Sequence, residues 1–136
     1  MDTHQRKKNV LYIDSESALI AQQMQYLKHK NLDGFLFPFI NMEEANHFIE
    51  FNVIKKNHKL HYIIIDENIF DENFSSSISR LHSLDDFFKK MDVIVLADKN
   101  NSLSNKHIMQ FPFVSVLIDK PYPFNYIEYL ITGNIA

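Results

Sequence analysis

Short apolar runs alternate with longer amphipathic stretches along this chain, and the two periodicities predict different elements. Residues 9–13 (Asn9-Val10-Leu11-Tyr12-Ile13) read as a first strand. Residues 17–30 carry Leu19, Ile20, Met24 and Leu27 at helical spacing. Asn31-Leu32-Asp33-Gly34 is turn chemistry. Residues 35–40 form a second strand candidate that contains Pro38. Proline cannot donate to a ladder, so this strand belongs at a sheet edge. Asn41 with Glu44 three residues on predicts a helix cap, and the helix it opens turns Ala45, Phe48 and Ile49 inward.

The second half repeats the pattern. Residues 61–65 form a third strand, with no polar alternation after Tyr62, as expected where helices cover both faces. A helix is predicted over 77–90 through Ile78, Leu81, Leu84 and Phe88, and a fourth strand over 93–97. A shorter helix over 104–109, a fifth strand over 113–118 and a helix after Pro123 with Ile127 and Leu130 inward complete the series. Strand–helix alternation implies one doubly wound parallel α/β sheet. With the Pro38 strand at an edge, the order 2-1-3-4-5 fits, the flavodoxin-like arrangement. No internal boundary or repeat divides the chain, so residues 1–136 are expected to be one domain.

Composition narrows the function classes. Hydrophobic residues make up 46% of the chain, with 12 Phe and 6 Tyr, which is ample for a core. Net charge is −3, and the basic residues fall in scattered pairs (Lys7-Lys8, Lys55-Lys56, Lys89-Lys90), which argues against nucleic-acid binding by this domain alone. The absence of cysteine excludes disulfides and thiolate metal sites. No apolar run reaches the roughly 18 residues of a membrane span. The polar start, Met1 to Lys8, has no apolar signal core, and the expected location is the cytoplasm. The seven histidines, including His58 and His61, read as solvated surface, and Asp71-Glu72 as solvated loop.

Candidate chemistry gathers at strand ends. The first strand runs into Asp14, the third into Asp66, and the fifth through Asp119 to Lys120-Pro121. In an open parallel sheet, ligands bind outside the carboxyl ends of the strands. A lone Asp after a strand is usually a turn residue, and Lys-Pro by itself says little. Together at one edge, two acids and a lysine could hold a divalent cation and a phosphoryl group. A carboxylate can act as a nucleophile and form an aspartyl phosphate, Mg²⁺ takes one or two carboxylates plus water and phosphate, and lysine supplies a point charge.

On these residues the chain resembles the receiver domain of two-component response regulators (CheY-like), over nearly its whole length. The resemblance implies that Asp66 accepts a phosphoryl group from a histidine kinase or phosphotransfer protein and that Lys120 contacts the phosphoryl oxygens. It also implies Mg²⁺ held by Asp14, Asp66 and the main-chain carbonyl of Asn68, and a cis peptide at Lys120-Pro121. A domain of this kind is a signalling switch rather than an enzyme. Its usual partner or dimer face includes the last strand and last helix, where Tyr122, Tyr126 and Tyr129 are interface candidates alongside a core-packing role.

The chain also departs from that pattern. Ser15 stands where a second acidic ligand is usual, with Glu16 after it. Losing a carboxylate at about 4 Å removes an attraction of about 4 kcal/mol at an effective dielectric near 20, partly returned by solvation of the ion. Weak Mg²⁺ binding is therefore expected. Ala97 replaces the Thr or Ser of the fourth strand, and Leu117 the aromatic residue three before the lysine. Phe70 and Asn73-Phe74 replace the usual Pro and Asp-Gly of the loop after Asp66. The second reading is accordingly a pseudo-receiver that works by protein contact or dimerisation without phosphate. A small enzyme on the same architecture is a third class, and it fails on motifs. With Gly34 and Gly133 as its only glycines, the chain lacks the phosphate loops of flavodoxins and Rossmann domains. Asp14-Ser15-Glu16 meets only the first acid of the Asp-x-Asp of haloacid-dehalogenase-like phosphatases. In 136 residues no output domain is visible.

Overall fold

The computed structural model describes residues 6–69, 92–97, 114–120 and 123–133. Five strands form one sheet: β1 (Val10–Ile13), β2 (Leu36–Phe39), β3 (Tyr62–Asp66), β4 (Asp92–Ala97) and β5 (Val114–Asp119). The order is β2-β1-β3-β4-β5, as the alternation predicts, and every pairing is parallel. The predicted helices over 77–90 and 104–109 lie outside the described residues.

Alternate side chains of each strand point to opposite faces, and two cores result. On one face Leu11, Ile13, Ile63, Ile65 and Val93 meet Met42, Ala45, Ile49 and Val53. These last four come from α2 (Met42–Phe48) and the π-helical turn that continues it (Ile49–Ile54). On the other face Val10, Tyr12, Ile64, Ile94 and Leu96 meet Leu27, Ile127, Leu130 and Ile131. Leu27 belongs to α1 (Ser17–Lys28), and the last three belong to α3 (Asn125–Thr132). Ile63, Ile64 and Ile65 are all essentially inaccessible to water. Burying each such side chain is worth about 2 kcal/mol. The polar end of β3 is thus carried on a rigid, doubly covered strand.

Local chemistry sets the element ends. The Asn41 side chain accepts a hydrogen bond from Glu44 N–H at 2.8 Å, the cap expected from sequence. Asn31 takes a left-handed backbone at φ 58° in the turn after α1, a conformation Asn tolerates better than most residues. Gly133 closes α3 at φ 77°, its N–H donating to Tyr129 O at 2.7 Å.

Pro38 sits on the edge strand, paired in register with Tyr12. The Phe39 carbonyl accepts from Asp14 N–H at 3.0 Å and so faces β1. Neighbouring residues of a strand direct their backbone groups to opposite sides. Pro38 therefore turns its missing N–H away from the sheet, where it costs no ladder bond. At the other edge β5 carries a bulge. Val93 pairs with Val114 and Ile94 with Val116, leaving Ser115 as the extra residue. The Ser115 hydroxyl accepts the Val93 N–H at 3.1 Å.

Candidate functional site

The C-terminal ends of β1, β3 and β5 bring Asp14, Asp66 and Lys120 to one sheet edge. Asp14 and Asp66 are only 2% and 1% exposed, so water does not solvate their charges and protein groups must. For Asp66 those groups are the Lys120 ammonium, 2.5 Å from Oδ1, and the Asn68 N–H, 3.0 Å from Oδ2. The short 3₁₀ turn over Glu67–Ile69 directly after β3 places that N–H. For Asp14 they are the Glu16 N–H on Oδ1 at 2.9 Å and the Tyr12 hydroxyl on Oδ2 at 3.0 Å.

The electrostatics follow from this crowding. Burial pushes the Asp14 carboxyl above its ordinary range. The negative charges of Asp66 and Glu16 push the same way, and the Glu16 and Tyr12 hydrogen bonds oppose them. Burial acting alone would lower the Lys120 ammonium. Its hydrogen bond to Asp66 and the charges of Asp66, Glu67 and Asp14 outweigh that and hold it above the usual lysine range. Lys120 is thus a fixed positive charge. Its own backbone N–H donates to Ala97 O at 3.0 Å, tying the end of β5 to the end of β4.

The other expected positions fall as follows. Ser15 and Glu16 are exposed at the start of α1. Ala97 is buried at the end of β4, 1% exposed, and its methyl offers no hydrogen bond. Leu117 is half-buried on β5, paired with Val95. Tyr126 and Tyr129 are half-buried and pack against the core beneath α1 and α3. Burial, with Tyr62, Tyr129 and Asp92 nearby, raises the Tyr126 hydroxyl above its ordinary range. Pro121, Tyr122, Phe70, Asp71, Glu72, Asn73 and Phe74 lie outside the described residues.

Four features were not anticipated from sequence. Tyr12 reaches Asp14, as above. Gln23 on α1 is fully buried and donates from Nε2 to Phe124 O at 3.2 Å, tying α1 to α3. Tyr26 and Lys30 both engage Glu128 of α3, at 2.7 and 3.6 Å. His61, expected as solvated surface, accepts the Asn9 N–H on Nδ1 at 3.0 Å. Burial, with Lys59 and Lys8 nearby, lowers its pKa.

Asp14 and Asp66 are the hard oxygen donors a divalent cation would meet here. Among the described residues no three His, Cys, Asp or Glu side chains form a metal-binding group. Two carboxylates at one sheet edge could serve as ligands to a divalent cation, with other oxygen donors and water filling its remaining positions.

No protein-family model matches the sequence, and no curated protein matches it. Solved structures do. The chain superposes on a two-component response regulator from Cytophaga hutchinsonii with a TM-score of 0.69 at 15% identity, covering 93% of this chain and 95% of that one. It also matches a response regulator from Burkholderia pseudomallei with a TM-score of 0.56 at 18% identity, covering 93% and 68%. That structure holds a phosphorylated aspartic acid, a calcium ion and citrate. The fold of this protein is the five-stranded, flavodoxin-like α/β fold it shares with these response regulator structures. Among the described residues no helix is long and apolar enough to cross a membrane.

Proposed function

We propose that this chain is an atypical signal-transduction receiver domain, with Asp66 as phosphoacceptor and Lys120 as the residue that contacts the phosphoryl group. The observation that carries the reading is the Asp66–Lys120 pair at the end of a buried strand, with Asp14 beside it. In the reaction an Asp66 carboxylate oxygen forms a bond to phosphorus while the bond to the donor's leaving group breaks, its electron pair departing with that group. Phosphoryl transfer asks mainly for positioning and charge neutralisation. The Lys120 ammonium supplies charge where the phosphoryl oxygens would lie, and the Asn68 N–H orients the acceptor. Mg²⁺, when bound by Asp14, Asp66 and the Asn68 carbonyl, would neutralise further charge.

The role is that of a switch read by partners, not of a turnover enzyme. The donor would be a histidine kinase or a phosphotransfer protein in the cytoplasm. The contact surface would be the last strand and helix, around Tyr122, Tyr126 and Tyr129. The scattered basic residues and net charge of −3 assign no nucleic-acid role to this domain.

A second reading, a pseudo-receiver that works without phosphate, is favoured by Ala97. The residue is buried beside Lys120 and has no hydroxyl to turn toward a phosphoryl group. Ser15 and Leu117 point the same way. Intact-mass spectrometry after incubation with acetyl phosphate and Mg²⁺ separates the two. A gain of one phosphate in wild type and none in Asp66→Asn supports the receiver reading. No gain supports the pseudo-receiver, provided self-association also survives Asp66→Asn and is lost on replacing Tyr126 or Tyr129.

A further inference from the structure

Tyr12 and Asp14 are two residues apart on and just beyond β1, so their side chains leave the strand toward the same face. The Tyr12 ring lies in the core under α1 and α3 and is 1% exposed. An Ile or Phe would fill such a space without a polar atom to satisfy. Tyr12 instead brings a hydroxyl into the core, and that hydroxyl donates to Asp14 Oδ2 at 3.0 Å between buried groups. From the opposite side the Glu16 N–H holds Oδ1 at 2.9 Å. Both carboxylate oxygens are thus tethered, one by a side chain from within the core and one by backbone from the loop. Each still has lone-pair capacity left for a cation. Such tethering matters more here than in a site with three acids. With Ser15 in place of an acid, two carboxylates must do the capturing, and a misturned Asp14 leaves one.

We infer that Tyr12 is a positioning residue for divalent-cation capture, acting through Asp14; the inference rests on the receiver reading of the Asp14–Asp66 site. Hydrogen-bond partners of metal-ligating groups typically change affinity by about 10- to 100-fold when removed.

The experiment is Mn²⁺ binding at neutral pH, read from the loss of the free-ion electron paramagnetic resonance signal, on folded protein checked by thermal melting. Tyr12→Phe deletes one oxygen and is expected to raise Kd about tenfold. Tyr26→Phe removes a tyrosine–carboxylate bond of the same kind, to Glu128 at 2.7 Å but away from the site, and is expected to leave Kd unchanged. In an Asp14→Asn background, Tyr12→Phe should have no further effect. Equal Kd for wild type and Tyr12→Phe overturns the inference while leaving the receiver reading intact. So does an undiminished effect in the Asp14→Asn background. Failure of Tyr12→Phe to fold would make the hydroxyl a stability element and overturns it as well. Absence of saturable Mn²⁺ binding in wild type overturns the cation site itself, and the inference with it.

Discussion

Lys120 and Asp66 form an ion pair in which the aspartate side chain is almost wholly buried, 2% exposed, while the lysine side chain is 26% exposed. The pair is lopsided. Removing the lysine strands a buried charge, whereas removing the aspartate leaves a lysine that can turn to solvent. Lys120→Met is expected to cost about 3 kcal/mol, the low end for breaking a buried pair. Asp66→Asn should cost less, and the double variant should recover much of the Lys120→Met loss. Urea unfolding at neutral pH measures all three. A Lys120→Met variant as stable as wild type would mean that the pair does not hold in solution.

Asp14 makes stability depend on pH in the opposite sense to a salt-bridged acid. Its folded-state pKa is raised above the ordinary carboxylate value, chiefly by burial. The folded state therefore holds the Asp14 proton more tightly than the unfolded state does. The stability that this contributes is full below about 3.8 and is lost as pH rises through the folded pKa. At neutral pH burial of this carboxyl therefore burdens the fold. Asp14→Asn is expected to raise the melting temperature at neutral pH, with the gain shrinking as pH falls toward 4. Melts of both proteins across that range check the sign. A gain that grows in acid would sink the argument.

Asn41 satisfies a backbone donor that α2 cannot satisfy itself. Asn41→Ala is expected to lose about 1 kcal/mol, and Asn41→Ser or Asn41→Asp to retain most of it. Denaturant midpoints at unchanged slope measure this. Equal loss in all three variants would assign the effect to something other than the cap.

Pro38 blunts the outer edge of the sheet. Pro38→Thr restores an N–H on the side facing solvent and offers that edge to a second chain. Folding stability should change by less than about 1 kcal/mol, while light scattering should show self-association rising with concentration. Pro38→Lys, which also restores the N–H but adds charge, should remain monodisperse. If the Thr variant is as monodisperse as wild type, the proline is not protecting the edge.

The strand ends were legible because apolar runs bounded by a charged residue are hard to place any other way. Once Asp14, Asp66 and Lys120 are assigned to parallel strands, topology brings them to one edge. The proline rule located β2 at the border for the same reason. Gln23 was missed although spacing pointed to it. It lies four after Leu19 and four before Leu27, on the inward stripe of α1, and its polarity masked the geometry. Tyr12 and Asp14 likewise share a face by simple alternation, but a tyrosine within an apolar strand reads as packing. His61 could not be read at all, because its partner is a backbone group 52 residues away. The π-helical extension of α2 and the bulge at Ser115 depend on tertiary packing and have no short-range signature here.

The bulge at Ser115 gives β5 two independent halves. Below it, Val114 is matched to Val93; above it, Val116 to Asp119 march in step with Ile94 to Ala97 and deliver Lys120 to the site. A looped-out residue acts as slack between the two. The pairing beyond the bulge, rather than the entrance of the strand, thus sets the phase in which Lys120 arrives beside Asp66.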